Sequence, residues 1–242
     1  MSGIQLDHVA IATHRLTDAP ALLAGVLGGV PFFGMDAPVF RFGQWEFEGD
    51  GRIEVLEPRG DDGFLHRFLA TRGPGIHHVT FKVPSLRDVC DPAQALGYAI
   101  VGYNDASPYW KEAFLHPKDA LGIVVQLAQM AGKGPTRGKW RTAPPGPPDP
   151  PPPVRVVGLR TRAHTEARAE RQWGELLHGR ASREDGVLVY RWPDSPLRIT
   201  VEIDATADEG PVHIDVVSPR PVRPLDTPHT ALGTVFVAQA PR

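Results

Sequence analysis

Cysteine occurs once in 242 residues, at Cys90. One thiol forms no internal disulfide and no cysteine-based zinc site, and on a segment with helical spacing it reads as a small buried filler. No apolar run approaches the ~20 residues that span a bilayer. Residues 1–12 lack the basic-then-apolar order of a secretion signal. Neither sign of charge dominates: 26 Lys and Arg against 28 Asp and Glu leave a formal charge of −2. That balance offers no electrostatic footprint for nucleic acid and no charged tail. The absences together predict a cytoplasmic protein with neither nucleic acid nor membrane as partner. The 41% hydrophobic and 22% charged residues suit an ordinary soluble globular chain holding one large domain or two small ones.

Proline, by contrast, is plentiful, and it marks the clearest boundary. Pro144-Pro145-Gly146-Pro147-Pro148-Asp149-Pro150-Pro151-Pro152-Pro153 can join neither a helix nor a central strand, because proline lacks an amide donor and has a fixed φ. It predicts a stiff, extended linker, preceded by the basic residues Lys133, Arg137, Lys139 and Arg141. The domains expected are therefore 1–132, a basic then proline-rich linker over 133–153, and 154–242.

Before the linker one pattern occurs twice. Residues 4–12 read as a strand, and 17–27 as a helix closing on Gly28-Gly29. Residues 39–48 and 52–57 then read as a hairpin around Gly49-Asp50-Gly51. The second copy predicts a strand at 76–83, a helix at 86–96 capped by Ser85 and stopped by Gly97, and strands at 98–103, 113–116 and 122–128. A third, weaker copy follows the linker: a strand at 156–163, a helix at 166–177, and strands at 187–192 and 197–203. The last segment offers only strands at 212–218 and 233–238, with a proline-rich loop where a helix would be. An internal repeat of this length points to an α+β fold of repeated βαβββ modules, the first pair complete and the second degenerate and truncated.

Four local sequences, in order, carry a family resemblance: Leu6-Asp7-His8-Val9-Ala10-Ile11-Ala12, Arg52-Ile53-Glu54-Val55-Leu56-Glu57-Pro58, Gly75-Ile76-His77-His78-Val79, and Phe114-Leu115-His116-Pro117-Lys118-Asp119. Over residues 4–130 the chain resembles the vicinal oxygen chelate (glyoxalase/bleomycin resistance/dioxygenase) superfamily, and within it the methylmalonyl-CoA epimerases. In that superfamily two modules enclose one divalent metal. The resemblance places the ligands at His8, Glu54, His78 and Gln126. Strand alternation agrees, since Glu54 lies between Ile53 and Val55, and Gln126 between Val125 and Leu127. Imidazole and oxygen donors suit Co, Mn, Ni, Zn or Fe without choosing among them. By the same alternation His77 reads as packing or surface, and His116 as a residue that shapes its turn.

Two departures bear on function. Where the epimerases carry a glutamate assigned as ligand and base, this chain has Gln126, whose amide cannot accept a proton near neutral pH. The candidate bases are then Glu54 and Glu46, the latter sharing a strand face with Gln44 and Glu48 opposite Trp45 and Phe47. The epimerases' glycine-rich loop is replaced by a segment containing Tyr109, Trp110 and Lys111, read as substrate-binding residues for an aromatic or larger ligand. The resemblance implies a metal-dependent isomerase or epimerase acting beside a carbonyl or thioester, on a small molecule such as an acyl-CoA but not plain methylmalonyl-CoA. Alternatives are a dioxygenase or lyase of the same superfamily, or a non-catalytic binder of the bleomycin-resistance kind. In the second half, the positions of His8, Glu54 and Gln126 read as Leu159, Thr200 and Val237, leaving His213 alone. A half without ligands suits an internal pseudo-dimer in a monomer, with a homodimer as the other assembly.

Overall fold

The structure, a computed structural model, describes residues 3–131, 142–222 and 227–239. Lys133, Arg137, Lys139 and Arg141 lie outside the described residues. The first module runs β1 (Gln5–Ala12), α1 (Ala19–Leu23), β2 (Val30–Asp36), β3 (Phe40–Glu46) and β4 (Arg52–Pro58). The helix α2 (Phe64–Arg72) leads to the second module: β5 (Gly75–Lys82), α3 (Leu86–Ala95), β6 (Ile100–Asn104), β7 (Trp110–Leu115) and β8 (Val124–Met130). These strands form an eight-stranded sheet in the order β2-β3-β4-β1-β5-β8-β7-β6.

After the proline stretch come β9 (Arg155–Ala163) and α4 (Glu166–Ala169), which continues as a π-helical stretch (Glu170–Leu176). Then follow β10 (Arg180–Glu184), β11 (Val187–Arg191), β12 (Arg198–Ile203), β13 (Gly210–Val217) and β14 (Phe236–Gln239). They make a six-stranded sheet in the order β10-β11-β12-β9-β13-β14. The repeated-module fold expected from the sequence is the fold observed.

Local chemistry explains the elements. The Ser85 hydroxyl accepts the Asp88 N–H, capping α3 where the sequence placed its start. Gly28 takes φ +74 just past α1, and a side chain there would collide with the Pro151 carbonyl oxygen at 2.3 Å. On β1, β3 and β4, Val9, Ile11, Trp45, Ile53 and Val55 are fully buried, while their alternate neighbours face the other way.

The chain divides into two compact units. One takes residues 1–7, 78–134 and 158–212. In it Phe81 stacks on Trp173 at 6.1 Å and meets Trp192 edge-on at 4.9 Å. Arg168 grips Glu209 with two bonds of 2.9 and 2.8 Å. Gly122, at φ +73, passes so close to Glu209 that an added Cβ would lie 2.2 Å from its carbonyl oxygen.

The other unit takes residues 8–77, 135–157 and 213–242. There the Thr13 hydroxyl donates to the Ala231 carbonyl at 2.8 Å, and Arg220 to that of Val26 at 2.7 Å. The proline stretch has no helix or strand, as its composition dictates, and its residues are exposed or half-buried, but it is held against the first half at several points. Pro147 lies against Gly25, Val154 N–H bonds the Leu27 carbonyl at 2.9 Å, and the Val154 carbonyl accepts the Glu48 N–H at 3.0 Å.

Candidate metal centre

The site grows from β1 and β4, which pair in parallel with Ala10 opposite Glu54, and from β3, whose Gln44 lies opposite Glu54. Residues paired across a ladder share a face, so His8, Ala10, Gln44 and Glu54 project together. All but Ala10 are polar, yet His8 is 4%, Glu54 7% and Gln44 8% exposed. A buried carboxylate must find partners. Glu54 Oε2 accepts from Gln44 Nε2 at 2.8 Å and lies 3.6 Å from His8 Nε2.

His78, 4% exposed, completes the group. His8, Glu54 and His78 each offer one ligand atom, all within 4.8 Å of one another. Two imidazoles and one carboxylate, buried and convergent, fit a divalent transition metal.

Gln126 sits opposite Thr80 on β5 and opposite Phe114 on β7. Its amide is held at both ends: Oε1 accepts the Thr80 hydroxyl at 2.6 Å, and Nε2 donates to Glu112 Oε2 at 2.8 Å. Trp110 Nε1 donates to the same Glu112 oxygen at 3.0 Å. A carboxylate only accepts, so Glu112 fixes which end of the amide is NH2. Glu112 was not singled out from sequence, although it shares the alternating face of β7 with Trp110 and Phe114. Only the ladder register shows that this face meets Gln126.

Other residues fall as follows. Trp45 and Phe47 are buried, which turns Glu46 to the opposite face, where it lies 3.6 Å from Arg52 Nε. Tyr109 is 76% exposed and Trp110 37%, and alternation sends Lys111 to the face opposite Trp110. His77 is buried edge-on against Phe68 at 4.8 Å, and desolvation pushes its pKa down to about 4, so it serves packing. His116 Nδ1 accepts the Lys118 N–H within its turn.

In the second half Thr200 pairs with Arg160 as Glu54 pairs with Ala10. That register puts Gly158, not Leu159, at the counterpart of His8. Leu159 is fully buried on the other face. Gly158, at φ +155, has the Arg198 carbonyl oxygen 2.0 Å from where a Cβ would be, so no ligand side chain fits there. His213 instead bonds Asp215 at 3.0 Å.

Residues 7–114 match the family model described as the Glyoxalase/Bleomycin resistance protein/Dioxygenase superfamily. The chain belongs to this superfamily. It is 30% identical over 135 residues to an uncharacterized protein, YqjC, of Bacillus subtilis, covering 53% of this chain and 94% of that one. It is 30% identical over 131 residues to the ethylmalonyl-CoA/methylmalonyl-CoA epimerase of Cereibacter sphaeroides, covering 52% of this chain and 98% of that enzyme. Both matches span about half of this chain. A hypothetical protein from Staphylococcus aureus shares the fold across 98% of this chain and all of its own, at TM-score 0.68 and 9% identity. That likeness is one of fold alone, and it extends through the second half. Among the described residues no helix is long and apolar enough to cross a membrane.

Proposed function

We propose that residues 4–130 hold one divalent metal through His8, Glu54 and His78, with the Gln126 carbonyl oxygen as a fourth ligand. The reaction proposed is an isomerase- or epimerase-type proton exchange beside a carbonyl or thioester. The observation that carries this reading is the buried His8–Glu54–His78 group. The metal, when bound, supplies Lewis acidity toward the substrate carbonyl oxygen. A carbonyl oxygen has two lone pairs, so Gln126 Oε1 can keep its Thr80 bond and still act as a ligand. Gln44 steadies the Glu54 carboxylate from behind, as outer-shell partners do for metal ligands.

The proton acceptor in this scheme is Glu46 or the second oxygen of Glu54, because the Gln126 amide has no basicity for the task. Support for an acyl-CoA substrate comes from the Cereibacter sphaeroides relative. The amide at 126, together with Tyr109 in the loop and Trp110 at the start of β7, argues for a substrate other than plain methylmalonyl-CoA. The same amide favours a second reading, a binder that sequesters a carbonyl compound without turnover.

The test titrates metal-stripped protein with Co2+ and follows deuterium uptake into methylmalonyl-CoA by the loaded protein. Wild type is expected to take up about one equivalent, and His8→Ala/His78→Ala none. Equal uptake by both proteins, or none by wild type, defeats the metal reading. Exchange into methylmalonyl-CoA is expected to be slow. A rate normal for enzymes, abolished in Glu46→Gln, would identify the base and return the function to plain epimerisation.

A further inference from the structure

Among the described residues the second half shows no cluster of metal-ligating side chains, yet the face of the first sheet that carries His8 and Glu54 has a charged counterpart there. Ladder registers set Arg160 opposite Thr200, Arg162 opposite Glu202, and Arg191 opposite Arg198. Paired and alternate residues share a face, so these side chains project together, with Glu184 beside them on β10. The opposite face carries Leu159, Ile199 and Val201, all buried.

The charges are grouped in two trios. Glu202 receives Arg160 Nη1 at 3.3 Å and Arg162 Nη2 at 3.4 Å. Glu184 receives Arg191 Nη2 at 2.6 Å and Arg198 Nη1 at 3.5 Å. The Glu202 trio sets two guanidiniums against one carboxylate. Three of the four contacts exceed the ~2.7–2.9 Å of a strong charge-assisted bond, so the glutamates hold these forks loosely.

Donors are also left over. The Nε atoms of Arg160 and Arg162 are buried without a hydrogen-bond partner, and so is the Thr200 hydroxyl, on a residue only 3% exposed. Buried donors without acceptors are costly, and a shared anion would satisfy several at once. Rigid guanidinium forks match the oxygens of phosphate in pairs, and Arg160 and Arg162 lie on one face for such an anion.

We propose that this face of β9–β12 is an anion site that binds a phosphorylated small molecule through its phosphate, independently of the metal centre. The test is calorimetric titration of the full-length protein, metal-stripped and in EDTA, with inorganic phosphate, pyrophosphate and malonate at fixed ionic strength. Pyrophosphate is expected to saturate one site, at least tenfold more tightly than malonate. Arg160→Gln/Arg162→Gln should weaken it at least tenfold, whereas Glu202→Gln, which removes the competing carboxylate, should tighten it. No saturable binding by wild type overturns the proposal, as does unchanged affinity in the double arginine variant. Malonate binding as tightly as pyrophosphate overturns the phosphate assignment. If the double variant does not fold, the Glu202→Gln arm decides, and equal or weaker binding there overturns the site.

Discussion

Position 126 shows how the setting of a residue can be missed in the sequence. From sequence alone a glutamine where a base is expected invites restoring the carboxylate. The structure puts Glu112 Oε2 2.8 Å from the Gln126 amide nitrogen, so Gln126→Glu would set two carboxylates in contact, and they cannot both ionise. The variant is expected to melt below wild type at pH 8, with the deficit shrinking toward pH 5 as the pair shares a proton; differential scanning at the two pH values checks this. Glu54 was legible because it is an isolated polar residue between Ile53 and Val55, and His8 and His78 because equivalent strands of the repeat both hold histidine. Glu112 was not, because β7 alternates weakly and its partner is set by the register with β8. Acid sensitivity belongs to this scale too. Burial alone would raise the Glu209 pKa, but the Arg168 hydrogen bond, the His164 N–H and the Arg168 charge outweigh it and hold the carboxyl below its ordinary value. A depressed carboxyl stabilises the fold above the unfolded value of about 4.3 and loses that contribution as pH falls through the folded one. Melting curves from pH 6 to 3 should therefore fall less steeply for Glu209→Gln than for wild type.

Among elements, strands with apolar alternation and helices with caps were found close to their observed bounds. Three were missed. The β10 sequence, Arg180–Glu184, has no large apolar residue to betray a strand, and β2 mixes proline and glycine into a largely exposed run. The helix α2 buries only Leu65 and Leu69, one i, i+4 pair and too narrow a stripe to read. Yet α2 matters to the site, because those two leucines pack on Ala10, Ala12 and Leu56, with Phe40, Phe42 and Phe68 against them. Ala10 and Ala12 share the β1 face of His8, so α2 closes one end of the face that carries the ligands. Leu69→Ala is expected to cost about 2–4 kcal/mol, as cavity-forming core truncations do, with Co2+ stoichiometry kept. Urea unfolding measures the first and titration the second. Loss of metal binding without loss of stability would mean that α2 positions the ligands more directly than packing alone does.

At the scale of the whole molecule, each unit joins a piece from before the proline stretch to a piece from after it. Phe81 is covered by Trp173 and Trp192, and Thr13 is held by Ala231. The proline composition announced a boundary in sequence, but the stretch lies within one compact unit together with residues 8–77 and 213–242, and composition alone could not reveal that it is held just past α1. An isolated segment 1–135 would bare Phe81 and the α1 surface, so it is expected to dimerise or aggregate in light scattering while the full chain stays monomeric. A soluble monomeric fragment with full metal affinity would make the second half a separate docking module. The interleaving also governs how the chain is made. At the usual ~5–20 residues per second of synthesis, the roughly one hundred residues between Phe81 and Trp192 take on the order of 5–20 s to emerge. Throughout that interval the nascent first half holds apolar surface whose cover has not been translated. Such long-range closure slows folding, so yield in cells should depend on chaperone supply and growth temperature more than the finished protein's stability would suggest.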